Sequence, residues 1–365
     1  MIERDELAAW LRLVDTPSIG RQTARRLLAA FGSPQAIFDA PAGARRELLT
    51  PAQAEALGAT PPSLDALASA TWQWLKADEA QRHVITLGDP AYPRALFETA
   101  DPPLFLYAVG RVSLLNAAAV AVVGSRNPSP QGAENAHNFA SALSRAGLTI
   151  VSGLALGIDG AAHKGALGNA GSTIAVVGTG LDRVYPKRHL TLAHRIAEEG
   201  LIVSEYALGT PPLSPHFPQR NRLIAGLTRG TLVVEAALQS GSLITARLAL
   251  EAGREVFAIP GSIHAPQSRG CHALIKQGAK LVDSAADILE ELRLEPIAAA
   301  ATSTAASPDG DPVLAAIGFD PVTLDALSAR LGWPPAELSA RLLELELAGE
   351  VARLPGQLFQ RLVRA

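Results

Sequence analysis

Hydrophobic residues in the middle of the chain, from about 118 to 292, form short and almost uninterrupted runs that alternate with longer amphipathic segments. Such runs are typical of strands buried on both faces, and the segments between them carry apolar residues at helical spacing. The predicted strands are 118–123, 148–151, 172–177, 201–204, 231–235, 255–259 and 280–282. The predicted helices between them include 131–146, 190–199, 243–252 and 272–277.

This alternation predicts an extended Rossmann-like α/β domain, a parallel sheet with helices on both faces. Two further short strands are expected at 83–87 and 104–108, separated by proline-containing turns. The domain is therefore placed at 81–295.

Residues 1–80 form a predicted helical domain. A first helix carries apolar residues at helical spacing (Leu7, Trp10, Leu11 and Val14), and a turn ending at Gly20 leads to a second helix that ends near Gly32. This pattern resembles a helix-hairpin-helix unit (a SAM-like domain), whose turn can offer backbone amides to a DNA phosphate. A plain helical hairpin packed on its neighbour is an equally open interpretation.

The C-terminal part is predicted to be a separate small domain. Residues 296–310 are an Ala/Ser/Thr/Pro linker. Helices at 311–317, 324–331 and 335–348, followed by a hairpin at 351–360, are typical of a winged helix. Residues 311–365 hold seven Asp or Glu and five Arg, a net charge of −2. Because duplex binding calls for a basic face, a protein-contact or regulatory role is favoured for this domain.

Composition narrows the classes of function. The formal net charge is −3, so any nucleic-acid site must concentrate its basic groups locally. One cysteine, Cys271, excludes an internal disulfide framework and a cysteine-rich metal site. The first residues lack the apolar core of a signal peptide, and no run reaches the roughly 18 apolar residues of a membrane span. A cytoplasmic protein is expected.

Candidate chemistry lies in the loops after the strands, because open parallel sheets bind ligands at the carboxyl ends of their strands. The first loop holds Gly124, Ser125 and Arg126. Glycine allows close approach to the backbone, and serine and arginine can hold phosphate oxygens. A tight turn with a surface arginine is the less favoured alternative.

The second loop is rich in glycine and precedes a helix, whose free amides attract an anion. Ser152, Gly153 and Gly157 are the candidates there. Asp159 can cap this helix, and His163 lies one turn further and can pair with it. A structural role is favoured over catalysis for both.

The third loop begins with Gly178 and Gly180, half of a dinucleotide-binding fingerprint. Arg183 replaces the third glycine, and the motif does not follow the first strand, so no NAD-type cofactor is expected. Lys187 and its two basic neighbours precede a helix, either as a clamp on a phosphate backbone or as a solvated helix start.

A further segment places Phe217 ahead of Arg220, Asn221 and Arg222. Cations beside an exposed aromatic ring suit single-stranded nucleic acid, because phosphates meet the charges while a base stacks on the ring. The adjacent proline and polar residues favour a loop position for Phe217 over a core position.

Ser240, Gly241 and Ser242 open another predicted helix and form a second candidate phosphate cradle. The chain has no P-loop, HExxH or GxSxG motif, and its histidines show no metal-ligand spacing. Neither a metal nor a cofactor is predicted.

Five motifs, in this order, resemble the DprA/Smf family of DNA processing proteins. They are Gly124-Ser125-Arg126, Ser152-Gly153-x-Ala155-x-Gly157-Ile158-Asp159, Gly178-x-Gly180-x-Asp182-x-x-Tyr185-Pro186, Phe217-Pro218-x-Arg220-Asn221-Arg222-x-Ile224-Ala225-Gly226 and Ser240-Gly241-Ser242-Leu243-x-Thr245-Ala246. The resemblance covers about 80–295 closely, and the flanking domains agree with it.

The resemblance implies a bacterial protein, not an enzyme, that binds and protects incoming single-stranded DNA during natural transformation. It implies a homodimer that loads the recombinase RecA and whose terminal domains can contact double-stranded DNA. It makes Arg126 and Lys187 cations at the DNA backbone and puts Phe217 at a base. The family commonly has a basic residue shortly before His-Phe-Pro, where this chain has Ser214, so Arg220 or Arg222 would have to compensate.

Two other functions stay open at this level. A nucleoside-monophosphate phosphoribohydrolase could use Glu235 at a strand end as general base, although its P-G-G-x-G-T-x-x-E motif is absent. A sensor of small nucleotides could use the winged helix as its output.

Overall fold

The computed structural model describes residues 2–294, 311–318 and 321–362. The predicted linker at 296–310 lies outside the described residues, as does the end of the chain beyond 362. The boundaries proposed between the domains therefore stay predictions.

The N-terminal domain is helical, as predicted, and packs on one end of the central domain. Its helices are α1 Arg4–Asp15, α2 Arg21–Phe31, α3 Pro34–Asp39, α4 Ala42–Arg46, α5 Pro51–Gly58 and α6 Leu64–Ala77. Val14, predicted to lie on the apolar face of α1, is 40% exposed, and Leu13 is buried in its place. The prediction for Val14 is therefore wrong. Leu104, Phe105 and Tyr107 of the central domain complete this core.

The central domain is built on a nine-stranded sheet. Its strands are β1 Arg82–Thr86, β2 Phe105–Gly110, β3 Ala119–Val123, β4 Thr149–Ser152, β5 Thr173–Val177, β6 Leu201–Ser204, β7 Gly230–Val233, β8 Glu255–Ala258 and β9 Lys280–Leu281. They lie in the order β1-β2-β6-β5-β4-β3-β7-β8-β9. In this order across the sheet, the seven strands from β6 through β3 to β9 pair in parallel. Strand β2 pairs antiparallel with both β1 and β6.

Helices cover both faces of this sheet. They are α7 Arg94–Phe97, α8 Pro130–Arg145, α9 Ile158–Ala166, α10 Leu190–Glu199, α11 His216–Gly226, α12 Ser242–Glu251, α13 Arg269–Lys276 and α14 Ala285–Glu291. Every residue of β3 and β5 is buried, which explains why these strands read as continuous apolar runs. The strand order reverses at β3, which has β4 on one side and β7 on the other, and ligands bind at such a reversal.

One predicted local structure is wrong. The segment around Phe217, expected to be a loop, is the amino-terminal part of α11. Pro215 directly precedes this helix and Pro218 lies in its first turn, which obscures the helical pattern, whereas the later residues Leu223 to Gly226 are buried. Proline is tolerated in the first turn of a helix, where the amide that it lacks has no partner within the helix.

The C-terminal domain is a winged helix, as predicted. It contains α15 Pro312–Ile317, β10 Val322–Thr323, α16 Leu324–Leu331, α17 Pro335–Leu347, β11 Val351–Leu354 and β12 Leu358–Arg361. The strands form a small antiparallel sheet in the order β10-β12-β11. Helix α17 occupies the place of a recognition helix in the sequence order.

Candidate nucleic-acid interface

A cleft of about 540 Å³ opens at the carboxyl ends of β3, β4 and β7. It lies where the strand order reverses, and α11 forms one of its walls. Its lining includes Gly124, Ser125, Arg126, Asn127, Asp159, Phe217, Arg220, Asn221, Gln239, Ser240, Gly241 and Ser242. Predicted site residues from three separate segments of the chain thus meet in one cleft.

Arg126 and two aromatic rings form an exposed platform at the cleft. The Arg126 guanidinium carbon lies 5.7 Å from the centroid of the Phe217 ring. The Phe217 and Tyr185 rings lie 5.5 Å apart at an angle of 32°, and Tyr185 is 48% exposed. Bases can stack on such partly exposed rings while the neighbouring cation meets a phosphate.

Tyr185 was not among the predicted site residues. It could have been proposed from its position in the loop after β5, two residues ahead of Lys187. Lys187 begins a short 3₁₀ turn and is exposed, but it lies outside the lining of the cleft. The platform and Lys187 therefore extend the candidate surface beyond the cleft itself.

The glycine-rich loop after β4 is not an open anion cradle. The amides of Gly153 and Ala155 both donate to Asp159 Oδ2, at 3.1 and 3.2 Å. The Ser152 hydroxyl is buried and donates to the Val122 carbonyl at 2.6 Å. Gly157 has φ +81°, and a side chain there would collide with the Ser125 backbone. Asp159 thus takes the place of a ligand anion, which argues against the predicted direct contacts of Ser152 and Gly153.

Arg220 is buried, which argues against its predicted role as a cation for DNA. It is 4% exposed and donates from Nη1 to the carbonyls of Gly153, at 2.6 Å, and Val176. Burial lowers the pKa of its guanidinium to about 10, against the charge of Asp159, so it stays charged at neutral pH. Burial also raises the pKa of the Asp159 carboxyl, and the charge of Arg220 opposes that rise. Arg220 ties α11 to the ends of β4 and β5.

Arg222 does not face the cleft either. It is 15% exposed, donates from Nη1 to the Asp101 carbonyl at 2.6 Å, and pairs with Glu205. Neither Arg220 nor Arg222 is therefore placed to compensate for Ser214, the position where the family commonly has a basic residue.

The cradle predicted at the start of α12 does open into the cleft. Ser240 Oγ and Ser242 Oγ lie 2.7 Å apart, and the Ser242 amide donates to Ser240 Oγ at 3.3 Å. Across from them, Asn221 Nδ2 donates to the Gly241 carbonyl at 3.4 Å, which joins α11 to this turn. Several predicted site residues can thus contact a ligand in the cleft. They are Ser125, Arg126, Phe217, Asn221 and the turn of Ser240, Gly241 and Ser242.

Glu235 closes the anion position at the start of α8. Its carboxylate accepts hydrogen bonds from the amide of Ser129 at 2.9 Å and from the Ser129 hydroxyl at 2.5 Å. Rossmann domains hold a pyrophosphate at the unpaired amides of the helix that follows the first strand of their parallel sheet. The corresponding helix here is α8, which follows β3. Glu235 lines a neighbouring cavity and lies outside the lining of this cleft, so it is not placed to act as a general base on a ligand in the cleft.

His163 does not pair with Asp159, contrary to the prediction. Its Nδ1 lies 2.7 Å from the Thr173 hydroxyl, and its ring is fully buried. Burial lowers the pKa of the imidazole to about 3, helped by the charges of His189 and Arg220. A neutral, buried histidine agrees with the predicted structural role.

Three arginines of the terminal domains are engaged within the protein. On α2, Arg21 pairs with Asp101, and Arg25 donates to the Ala100 carbonyl at 2.9 Å. On α17, Arg341 pairs with Asp311 and Glu344. These contacts show that Arg21, Arg25 and Arg341 are engaged in packing within the protein.

The fold and the cleft define a Rossmann-like protein that can hold a phosphate-bearing ligand where the strand order reverses. A profile of the family "DNA recombination-mediator protein A" matches residues 83–293. Profiles of the DprA-like N-terminal HHH domain and of the DprA winged helix domain match 4–59 and 295–357. The chain therefore belongs to the DprA/Smf family of DNA processing proteins.

Relatives with known sequence or structure agree with this family. Protein Smf of Escherichia coli K12 is 46% identical over 302 residues, 80% of each chain. The X-ray structure of DprA from Streptococcus pneumoniae has a TM-score of 0.65 at 40% identity, covering 80% of this chain and 98% of that one. DprA from Helicobacter pylori, whose structure addresses its single-stranded DNA binding mode, has a TM-score of 0.54 at 32% identity, covering 58% and 96%.

Two kinds of feature are absent from the described residues. No group of three or more His, Cys, Asp or Glu side chains there is arranged to hold a metal ion. Within the same residues, no helix has the length and apolar character needed to span a membrane.

Proposed function

We propose that this protein binds single-stranded DNA across the cleft and the platform of Arg126, Phe217 and Tyr185. The observation that carries the proposal is this platform, in which a cation and two neighbouring aromatic rings lie at the mouth of a cleft. Bases of a single strand can stack on such rings, whereas bases of a duplex are already stacked on each other. The single-stranded DNA binding named for the Helicobacter relative supports the same ligand.

The chemistry of the cleft supports binding rather than catalysis. Asp159, a carboxylate in its lining, is buried and accepts two amide hydrogen bonds. A general base needs a carboxylate that can reach the substrate proton, and Asp159 is already occupied. We propose that the protein is not an enzyme, and release of free base from nucleoside monophosphates incubated with it would contradict this.

Family membership supports a wider role for the bound strand. We propose that the protein acts in the cytoplasm during natural transformation as a homodimer, protects incoming single strands and loads RecA on them. The engaged arginines of α2 and α17 favour terminal domains that contact protein rather than double-stranded DNA.

Titration of a fluorescently labelled oligothymidylate and of a labelled duplex tests the proposed ligand. We expect tight binding of the single strand and much weaker binding of the duplex. Between about 50 and 200 mM salt, the logarithm of the single-strand affinity should fall linearly with the logarithm of the salt concentration, with a slope of about −0.7 per phosphate contact. Equal affinity for the two DNA forms would contradict the proposal.

Phe217→Ala is expected to weaken single-strand binding by about 5- to 30-fold. Stacking of a base on an aromatic side chain contributes roughly 1–3 kcal/mol, and a ring that is half-buried before binding should fall in the lower part of that range. Because the ring carries no charge, the salt dependence of binding should not change. Fluorescence anisotropy across salt measures both quantities.

Phe97→Ala is the matched control, since Phe97 is 64% exposed and lies on α7, outside the cleft lining. An equal loss of affinity in both variants would show that no base stacks on Phe217.

A further inference from the structure

We infer that four charged residues, Arg21, Asp101, Glu205 and Arg222, couple the docking of the N-terminal helical domain to the position of α11. These residues are called the charge cluster below. The N-terminal domain would thus control how well α11 presents Phe217, without touching DNA itself. The binding part of this inference rests on the proposed function, and the coupling part does not.

The charge cluster is an alternating ring of two arginines and two carboxylates. Arg21 Nε donates to both oxygens of Asp101, at 2.9 and 2.8 Å, and its Nη1 lies 3.4 Å from Glu205 Oε1. Arg222 pairs with Glu205 through Nη2, and its Nε lies 3.5 Å from Asp101 Oδ2. Each arginine therefore contacts both carboxylates, and removal of one cation leaves both carboxylates short of a partner.

The members of the ring come from different parts of the fold. Arg21 is the first residue of α2 in the N-terminal domain, and Arg222 lies in the middle of α11. Glu205 directly follows β6, and Asp101 lies in the segment between α7 and β2. The ring is therefore a direct link between the N-terminal domain and the helix that forms a wall of the cleft.

The inner half of the ring is shielded from water. Arg222 and Glu205 side chains are each 15% exposed, whereas those of Arg21 and Asp101 are 40% exposed. Partial burial alone would raise the pKa of the Asp101 carboxyl, but the hydrogen bond from Arg21 and the charge of Arg222 outweigh it and lower the pKa. A half-shielded ring of this kind is sensitive to loss of one member, because the remaining charges are left partly desolvated.

A second contact makes the position of α11 depend on the same strand end. Tyr206, next to Glu205, stacks its ring on His216 with centroids 4.0 Å apart. Its hydroxyl reaches the His216 carbonyl at 3.3 Å and Gln219 Oε1 at 3.2 Å. Residues 205 and 206 thus hold α11 on both sides of Phe217, so a shift of Glu205 is transmitted to that ring.

Arg21→Ala tests the coupling, with Arg26→Ala as matched control. Arg26 lies on the same helix, is exposed, and donates only within its own domain, to the Leu48 carbonyl at 3.2 Å. Both variants remove one positive charge from α2, but only Arg21→Ala opens the ring.

The first measurement is amide hydrogen exchange of the full chain without DNA. Arg21→Ala should speed exchange in 216–226 several-fold, whereas Arg26→Ala should leave it unchanged. Asp101→Asn, which keeps every residue of the N-terminal domain, should reproduce the effect even if Arg21→Ala disturbs the folding of that domain. Unchanged exchange of 216–226 in both Arg21→Ala and Asp101→Asn would overturn the coupling, whatever the ligand of the cleft is.

The second measurement is single-strand affinity across salt. Arg21→Ala should weaken binding about 3- to 10-fold with an unchanged salt slope, because Arg21 acts through α11. A salt slope smaller by about 0.7 in Arg21→Ala would identify a direct phosphate contact by Arg21 and overturn the inference. If wild-type protein bound no single strand while exchange responded as expected, the proposed function would fail and the coupling would stand.

Discussion

The double variant Arg126→Ala with Lys187→Ala is expected to bind single-stranded DNA about 100-fold more weakly than the wild-type protein. A charge-assisted hydrogen bond contributes about 1.5 kcal/mol or more, and two such losses amount to about 3 kcal/mol. Arg126 lines the cleft beside Phe217, and Lys187 is exposed beyond Tyr185. The salt slope should also fall, by about 1.4 for two phosphate contacts.

Arg195→Ala with Lys280→Ala is the matched control, since it removes one arginine and one lysine. Both control residues are ion-paired away from the cleft, Arg195 with Glu199 and Lys280 with Glu291. Their loss should change the affinity less than two-fold. If Arg126→Ala with Lys187→Ala kept tight, salt-sensitive binding, the DNA backbone would have to run elsewhere.

Arg220→Ala is expected to lower the free energy of unfolding by about 3–5 kcal/mol, the usual effect of removing one partner from a buried charged network. The loss leaves the carbonyls of Gly153 and Val176 without this donor and the buried Asp159 without its nearby positive charge. Urea unfolding followed by circular dichroism measures the change. Arg247→Ala, an exposed arginine on α12, should change it by less than about 0.5 kcal/mol.

A double-mutant cycle with Asp159→Asn sharpens this test. Because Arg220 and Asp159 are buried side by side, the two substitutions together should cost less than the sum of the single losses. A stable Arg220→Ala protein with a smaller salt slope in DNA binding would instead make Arg220 a phosphate contact, as its sequence motif suggested.

The sheet and most helices were predictable because their signal is local. A strand such as β3 is read from five consecutive apolar residues, and its burial follows from the same residues. The amino-terminal part of α11 was missed because Pro215 directly precedes the helix and Pro218 lies in its first turn. Local sequence patterns therefore predicted the sheet and most helices correctly. They predicted a loop where the amino-terminal part of α11 forms a wall of the cleft.

The roles of the arginines were not predictable in the same way. Arg126, Arg220 and Arg222 look alike in sequence, yet only Arg126 is exposed at the cleft. The partners that engage Arg220 lie 67 and 44 residues away along the chain, and one partner of Arg222 lies 121 residues away. A short sequence motif shows that an arginine is present. Whether that arginine is buried or ion-paired depends on segments that only folding brings next to it.

The glycine-rich loop misled for a related reason. Its sequence correctly indicated backbone amides that gather around an anion. It did not indicate that the anion is Asp159, four and six residues further along the same chain.

Asp159 and Glu235 also bear on which molecules compete for the cleft. Each carboxylate is held by the chain next to backbone amides that donate hydrogen bonds to it. Its effective concentration at those amides therefore far exceeds that of any dissolved anion. A free mononucleotide depends on one strong phosphate-binding site, and it would have to displace one of these carboxylates to occupy it. A long strand needs no single seat, because it adds many weaker contacts along its length. The metabolite pool of nucleotides would thus be a poor inhibitor of this surface, and the surface would stay available for polymers.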